Sequence, residues 1–410
     1  MQNMDPAALY VLDQLEQAGF EAYLVGGCVR DRLMGLQPAD YDVATDAHPN
    51  EVQELFPRTA ATGIQHGTVA VLHQGKMIEV TTYRTEGNYV NHRRPSQVAF
   101  VSSLRKDLAR RDFTINAMAE DRNGQLVDPF GGQADLQAGW IRAVGDAVQR
   151  FTEDALRMLR AVRFAAQLDF RIHPNTATAF AVCVPLMRHL AVERVTGELD
   201  KMWRTAWPSR GVEQMFRNRF FRHLPPFSQW EEKPQARADL IQGLDAEKDP
   251  DVRWALLMGL FSIPSDQLWP RLRSLRLSTK RASRIQTLLE LARKWPFPLE
   301  ETQGKQMILQ HGLSTVKQAC RTSRWIKGWN CSTAKEQMFR IEKWAKEMPV
   351  HHSHELAIDG KQLVEAVGIS PGPWVGEVLQ RLMTAAALGR LPNEREALLK
   401  EGKRLGKQYS

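Results

Sequence analysis

Asp40 and Asp42, in "ADYDVATD", stand two residues apart in a stretch that reads as a strand. Residues i and i+2 of a strand face the same side, so both carboxylates can point into one small site. Two such groups, completed by substrate phosphates, suit hard, octahedral Mg²⁺. About fifteen residues earlier, Gly26 and Gly27 form a turn between a predicted strand, "EAYLV", and a short predicted helix, "CVRDRLM", closed by Gly35. Glycines there let backbone N–H groups approach phosphate closely, with the positive end of the helix behind them. Arg30, one turn into the helix, can add a charge-assisted contact. A lone Asp-x-Asp is ordinarily an exposed edge, and a lone Gly-Gly an ordinary turn. Strand, Gly-Gly, helix and Asp-x-Asp strand in succession are far more specific. Glu79 in "KMIEVTTY" offers a third carboxylate on a strand expected beside that of Asp40, and reads equally well as an edge-strand charge.

A second pattern lies at 151–168, "FTEDALRMLRAVRFAAQL", which reads as one helix with Arg157, Arg160 and Arg163 at every third position. Helical charges usually find opposite partners three or four residues away. Here only Glu153 and Asp154 qualify, and they reach only Arg157, so the other two arginines read as awaiting an anion. The bland alternative is a capped first turn and a normal Glu153–Arg157 pair.

The elements that position these residues are mixed at the front and helical behind. Asp5-Pro6 starts a helix that Gly19 stops, "GTVAVLHQGKMIEVTTY" reads as a hairpin turning at Gln74 and Gly75, and "AEDRNGQLVD" as another through Asn123 and Gly124. The stretch from Arg84 to Phe100 reads as a polar loop. After Trp140 nearly everything has helical spacing, broken at 207–211, 294–301 and 347–353. The fold class is therefore α+β, a mixed head with a small β-sheet followed by helices, divided at 1–140, 141–207, 208–298 and 299–410.

With 43% hydrophobic and 25% charged residues the chain has an ordinary globular composition, and its formal charge of +8 fits a polyanionic partner. Four cysteines without paired spacing argue against a zinc site or a disulfide framework and fit a reducing compartment. No leader pattern or long apolar run is present, so a cytoplasmic protein without membrane association is expected.

"LVGGCVRD", "ADYDVATD", "RRDFTINAMA", "LVDPFGG" and "EDALRMLRAVRFA", in this order and spacing, resemble the head and neck motifs of class II CCA-adding enzymes, the tRNA nucleotidyltransferases. The resemblance spans roughly 20 to 170 and implies a catalytic head, a neck with a base-recognition helix, a body, and a tail that meets tRNA. It implies that Asp40 and Asp42 are catalytic and hold Mg²⁺. It also implies that Gly27, Arg30 and Arg111 contact the incoming CTP or ATP, with Asp112 and Asn116 near the ribose. Asp154 and Arg157 become the readers of the base, and Arg160 and Arg163 members of the same nucleotide pocket. The polar loop from Arg84 to Phe100 would move as the pocket switches from C to A, and the charged end "NEREALLKEGKRLGKQ" would face the tRNA body. The sequence leaves monomer and homodimer both open. Bacterial poly(A) polymerases share the head motifs and are the nearest alternative, with a CC-only enzyme next.

Hydrogen-bond chemistry agrees with the implied base readers. Cytosine and adenine each present an amino donor beside a ring-nitrogen acceptor, which a carboxylate and a guanidinium complement. Uracil and guanine reverse that order, and each mismatched buried polar group costs roughly 1–3 kcal/mol. On one helix, residues at i and i+3 share a face about 4.5 Å apart along the axis, near the span of two base-edge groups.

Overall fold

A computed structural model of the chain describes every residue except 1–3, 65–66, 87–88, 91–93, 96–97 and 410. It divides into two compact units, one of residues 1–233 with 274–276, the other of 234–273 with 277–410.

The first unit opens with α1 (Pro6–Gln17), whose N-cap Asp5 accepts a hydrogen bond from the Ala7 amide at 2.9 Å; Gly19, at φ +89°, lies just beyond its end. Its stripe of Ala8, Val11, Leu12 and Leu15 is wholly buried with Leu24, Val43, Val69 and Val80 of the sheet. The strands are β1 (Ala22–Val25), β2 (Asp42–Thr45), β3 (Thr59–Gly63), β4 (Thr68–His73) and β5 (Lys76–Thr82), with α2 (Gly27–Leu33) after β1 and α3 (Pro49–Leu55) after β2. Gln74 and Gly75, both at positive φ, turn the β4–β5 hairpin as expected.

The stretch read as a loop pairs its backbone instead. β6 (Arg84–Glu86) runs antiparallel to β9 (Val98–Phe100), and β7 (Tyr89–Val90) to β8 (Arg94–Pro95). Backbone pairing over two or three residues needs no apolar alternation, so a polar sequence conceals it. The rest of that stretch lies outside the described residues.

Next come α4 (Leu104–Ala109), β10 (Ala119–Glu120) and β11 (Leu126–Val127). The sheet order is β11-β10-β1-β2-β5-β4-β3, and among these pairs only β2–β5 is parallel. A parallel pair needs a crossover, which α3, β3 and β4 supply. Its register sets Asp42 beside Glu79, while antiparallel pairing sets Asp42 beside Val25.

Behind the sheet lie α5 (Gly132–Ala138), β12 (Trp140–Ile141), α6 (Ala147–Glu153), α7 (Leu156–Leu168), β13 (Arg171–Ile172), α8 (Pro174–Cys183), α9 (Val192–Met202) and α10 (Pro208–Arg217). The short parallel β12–β13 pair is the exception to an otherwise helical stretch. α7 is buried along most of its length. Gly211 lets α10 approach it, since an added Cβ would stand 3.4 Å from Val162 and 2.3 Å from the Met202 sulfur.

The second unit consists of α11 (Ala238–Ala246), α12 (Pro250–Leu260), most of α13 (Ser265–Ser274), α14 (Thr279–Lys294), α15 (Glu301–His311), α16 (Leu313–Ile326), α17 (Cys331–Glu347), α18 (Gly360–Val367), α19 (Pro373–Ala387) and α20 (Arg395–Gly406). Its tryptophans pack between helices; the Trp344 ring lies so close to Gly304 that a Cβ there would come within 2.5 Å. The architecture is α+β, as the sequence predicts. Among the described residues no helix is long and apolar enough to cross a membrane.

Candidate active site

β2 begins at Asp42, so Asp40 lies in a bend two residues ahead of the strand and not on it. The expected i, i+2 alternation therefore does not place the pair; Pro38 and the bend reach the sheet only at Tyr41–Asp42. The two acids still share one field. Burial, with the charges of Glu79 and Asp40, pushes the Asp42 carboxyl up to about 6 against the pull of Arg111. A divalent cation held by Asp40 and Asp42 would relieve that repulsion. This donor set fits Mg²⁺, which takes one or two carboxylates and completes its shell with waters and phosphates. Among the described residues no three His, Cys, Asp or Glu side chains form a closed cage.

The turn between β1 and α2 is held by Gly26, at φ +77°, where a Cβ would stand 2.8 Å from Arg111 Nη1. Both the dihedral and the close approach require glycine. Gly27 beside it opens α2 and lines the same cavity. Arg111 donates to Asp107 at 3.3 Å, while its Nε is buried with no acceptor among the described residues. Arg110 donates to the same carboxylate at 2.8 and 3.0 Å. Burial alone would raise Asp107, but the two guanidiniums hold it below the usual carboxylate range. Cys28 is an inert core thiol, pushed up to about 11 by burial.

The stretch 151–168 is not one helix. α6 is capped by Asp146, which accepts from the Gln149 amide at 2.7 Å, and ends at Glu153. Asp154 is extended at φ −141°, ψ 103°, and α7 starts at Leu156. Asp154 and Arg157 are thus not an i, i+3 pair on a common helix. Asp154 accepts from the Leu156 amide at 3.1 Å and from Arg194 on α9 at 2.7 and 3.2 Å. Arg157 makes the ordinary pair with Glu153 at 2.7 Å and donates to the carbonyls of Arg150 and Arg110.

The two arginines read as unmatched also have partners, supplied from other elements. Arg160 donates to Asp112 at 2.7 Å, and Arg163 to Glu198 on α9 at 2.6 Å and to Gln167 at 2.7 Å. The chain of contacts continues from Asp112 through Asn116 to Arg30 at 3.1 and 2.8 Å. Burial would raise the Asp112 and Glu198 carboxyls, yet Arg160 beside the first and Arg163 and Arg160 beside the second hold both below their ordinary range. The Phe164 ring lies under the guanidiniums of Arg163, Arg30 and Arg160, whose centres are 3.9, 5.2 and 5.4 Å from its centroid.

All of this converges on one cavity of about 510 Å³. Gly27, Arg30, Asp42, Arg111, Asp112, Asn116, Asp154, Arg157, Arg160 and Arg163 line it; Asp40 and Glu79 do not. Sequence reasoning passed over Arg110, Phe164, Gln167, Arg194 and Lys201, which also line it, and Glu198 behind them. Arg194 and Glu198 stand at i, i+4 in "VERVTGELDKM", a spacing that lets two such side chains pair with each other, whereas each serves a residue of another segment. Eight basic side chains against three acids form the described lining, a field that attracts a polyphosphate.

A glycine turn at the mouth of a mixed sheet, paired carboxylates at a strand start and an arginine-lined cavity define a nucleotidyltransferase. Residues 22–142 match the family described as Poly A polymerase head domain, 169–230 the one described as probable RNA and SrmB-binding site of polymerase A, and 248–401 tRNA nucleotidyltransferase domain 2, putative. The CCA-adding enzyme of Lactiplantibacillus plantarum is 38% identical over 96% of this chain and 94% of its own length, and that of Geobacillus stearothermophilus 37% over 95% of both. The crystal structure of the Bacillus stearothermophilus CCA-adding enzyme in complex with CTP superposes with a TM-score of 0.78 at 34% identity, covering 99% of this chain and 100% of that one. The chain belongs to the CCA-adding enzyme family. Enzymes of this family are nucleotidyltransferases that use divalent metal ions.

Proposed function

We propose that this enzyme builds and repairs the 3′-terminal CCA of tRNA from CTP and ATP, without a nucleic-acid template, releasing pyrophosphate. The observation that carries the reading is the single cavity that joins Asp42, the Gly26–Gly27 turn and Arg111 to Asp154 and Arg157. In this reading residues 1–140 are the catalytic head, 141–207 the neck, 208–298 the body and 299–410 the tail, and the enzyme works on tRNA in the cytoplasm.

Asp40 and Asp42 hold the metal; two Mg²⁺ ions, when bound, supply a lowered pKa for the attacking 3′ hydroxyl and charge neutralisation at the triphosphate. The glycine turn lets the triphosphate lie against the backbone, and Arg111 and Arg30 bind its oxygens. Asp154 accepts from the amino group of cytosine or adenine while Arg157 donates to the adjacent ring nitrogen. A carboxylate offers about four acceptor positions, and Asp154 makes three hydrogen bonds among the described residues. It can therefore take the base amino group without giving up Arg194. With the nucleotide fixed at both ends, positioning and charge stabilisation supply most of the rate. No side-chain general base is required.

The test is product length. A tRNA lacking its 3′ end, incubated with CTP and ATP together, should gain three residues and stop. A long adenosine ladder would establish a poly(A) polymerase instead, and arrest after two cytidines a CC-adding enzyme.

A further inference from the structure

The second unit contains a cavity of about 450 Å³ walled by Lys248 ahead of α12, Arg321 and Arg324 of α16, and Lys335 of α17. None of these four cations forms a side-chain hydrogen bond or an ion pair among the described residues. Their isolation is not a shortage of acids on these helices, because Lys317 of α16 pairs with Glu342 of α17 outside the cavity. The one acid in the lining, Glu247, is buried and accepts from the Trp325 indole at 3.0 Å. Arg324 lies over the Trp325 ring, 4.3 Å from its centroid, with its Nε buried and lacking an acceptor among the described residues. A buried donor with no acceptor, among like charges around one void, is costly unless a ligand answers it.

We propose that this cavity seats a phosphodiester segment of the RNA substrate. Cations on three separate elements span more than a single phosphate group needs, while Cys320 and Met338 supply an apolar floor for a ribose or base. The inference rests on the tRNA reading, and makes the second unit a binding unit through this cavity.

The test uses Arg321→Glu with Lys335→Glu in the full chain, both positions being exposed, and tRNA lacking its CCA end. Lys280→Glu with Lys361→Glu, exposed on α14 and α18, gives the same charge change away from the cavity. The cavity variant should bind tRNA about tenfold more weakly at physiological salt, and its log–log salt slope should be shallower by about 2. Its KM for CTP and its melting temperature should match the unaltered enzyme. Equal tRNA affinity and slope, an equal loss in the control variant, or lost affinity for pyrophosphate alone would each overturn the assignment. If the unaltered enzyme itself neither binds nor extends tRNA, the tRNA reading falls with it; if it does both and the cavity variant is indistinguishable, only the cavity assignment falls.

Discussion

In the cavity of the first unit each arginine of α7 is tied to an acid from the surrounding segments: Arg157 to Glu153, Arg160 to Asp112, Arg163 to Glu198. In the cavity of the second unit four cations face a void of similar size with no such partner among the described residues. The difference follows from what each has to do. A guanidinium that reads a base edge must be held in one orientation, because misplacement costs rate or discrimination. A cation that meets an RNA backbone acts mainly through its charge, so mobility is tolerable there. Fixed geometry calls for counter-charges, and those counter-charges make the first cavity sensitive to single substitutions.

The largest effect is expected at the carboxylate proposed to hold metal. Asp42→Asn keeps the shape but removes a charge whose pKa is raised by burial and by the neighbouring charges of Glu79 and Asp40, and nucleotide incorporation should fall by about 10³-fold or more. Binding of tRNA should stay within about twofold, since RNA phosphates supply most of that affinity elsewhere. Single-turnover incorporation and a binding titration on the same preparation separate the two; loss of both together would mean that Asp42 is structural.

Next in size is the counter-charge itself. Glu198→Ala leaves Arg163 buried and unmatched and should cost about 3–5 kcal/mol of stability, read from denaturant unfolding. The same pairs fix the response to pH. Asp112 and Glu198 lie below their unfolded values of 3.8 and 4.5. Their contribution is therefore complete above about pH 5 and lost as pH falls through the folded pKa values. An unfolding midpoint that does not fall as the pH is taken from about 5 down through the folded values would contradict this assignment.

These partners explain what was legible in the sequence and what was not. The Gly26 turn, Asp42 on β2 and the β4–β5 hairpin follow from local rules, since turn chemistry and alternation act over a few residues. The break at Asp154 carries no glycine or proline. Its extended dihedrals suit any residue, and Arg194, 40 positions away, holds it there. Asp112 meets Arg160 across 48 positions, and Glu198 meets Arg163 across 35. No periodicity in "FTEDALRMLRAVRF" could announce acids that arrive from other segments, Asp112 from a bend and Glu198 from α9. The unusual absence of local acids was visible, and it signalled partners elsewhere in the fold as much as a ligand.

A smaller effect is expected at the base reader. On the proposed role Arg157→Ala removes the donor to the ring nitrogen, and the preference for CTP over UTP in kcat/KM should fall by about one to two orders of magnitude. Arg157 also donates to the Arg150 and Arg110 carbonyls, so some general loss of rate will accompany it. Only the ratio between nucleotides tests the role. Unchanged discrimination would leave Arg157 as a brace between α4, α6 and α7.

The smallest effect sharpens the comparison most. Arg321→Ala in the second cavity removes a guanidinium of the same kind as Arg163, but one that is exposed and makes no direct ion pair among the described residues. Its removal should change unfolding stability by no more than about 0.5 kcal/mol, the usual range for a surface position. It also lessens repulsion among Lys248, Arg324 and Lys335, so a slight gain is as consistent as no change. A loss of several kcal/mol, comparable with Glu198→Ala, would mean that Arg321 belongs to a structural network like that of the first unit's cavity. The contrast between geometry held by counter-charge and charge held in reserve would then fail.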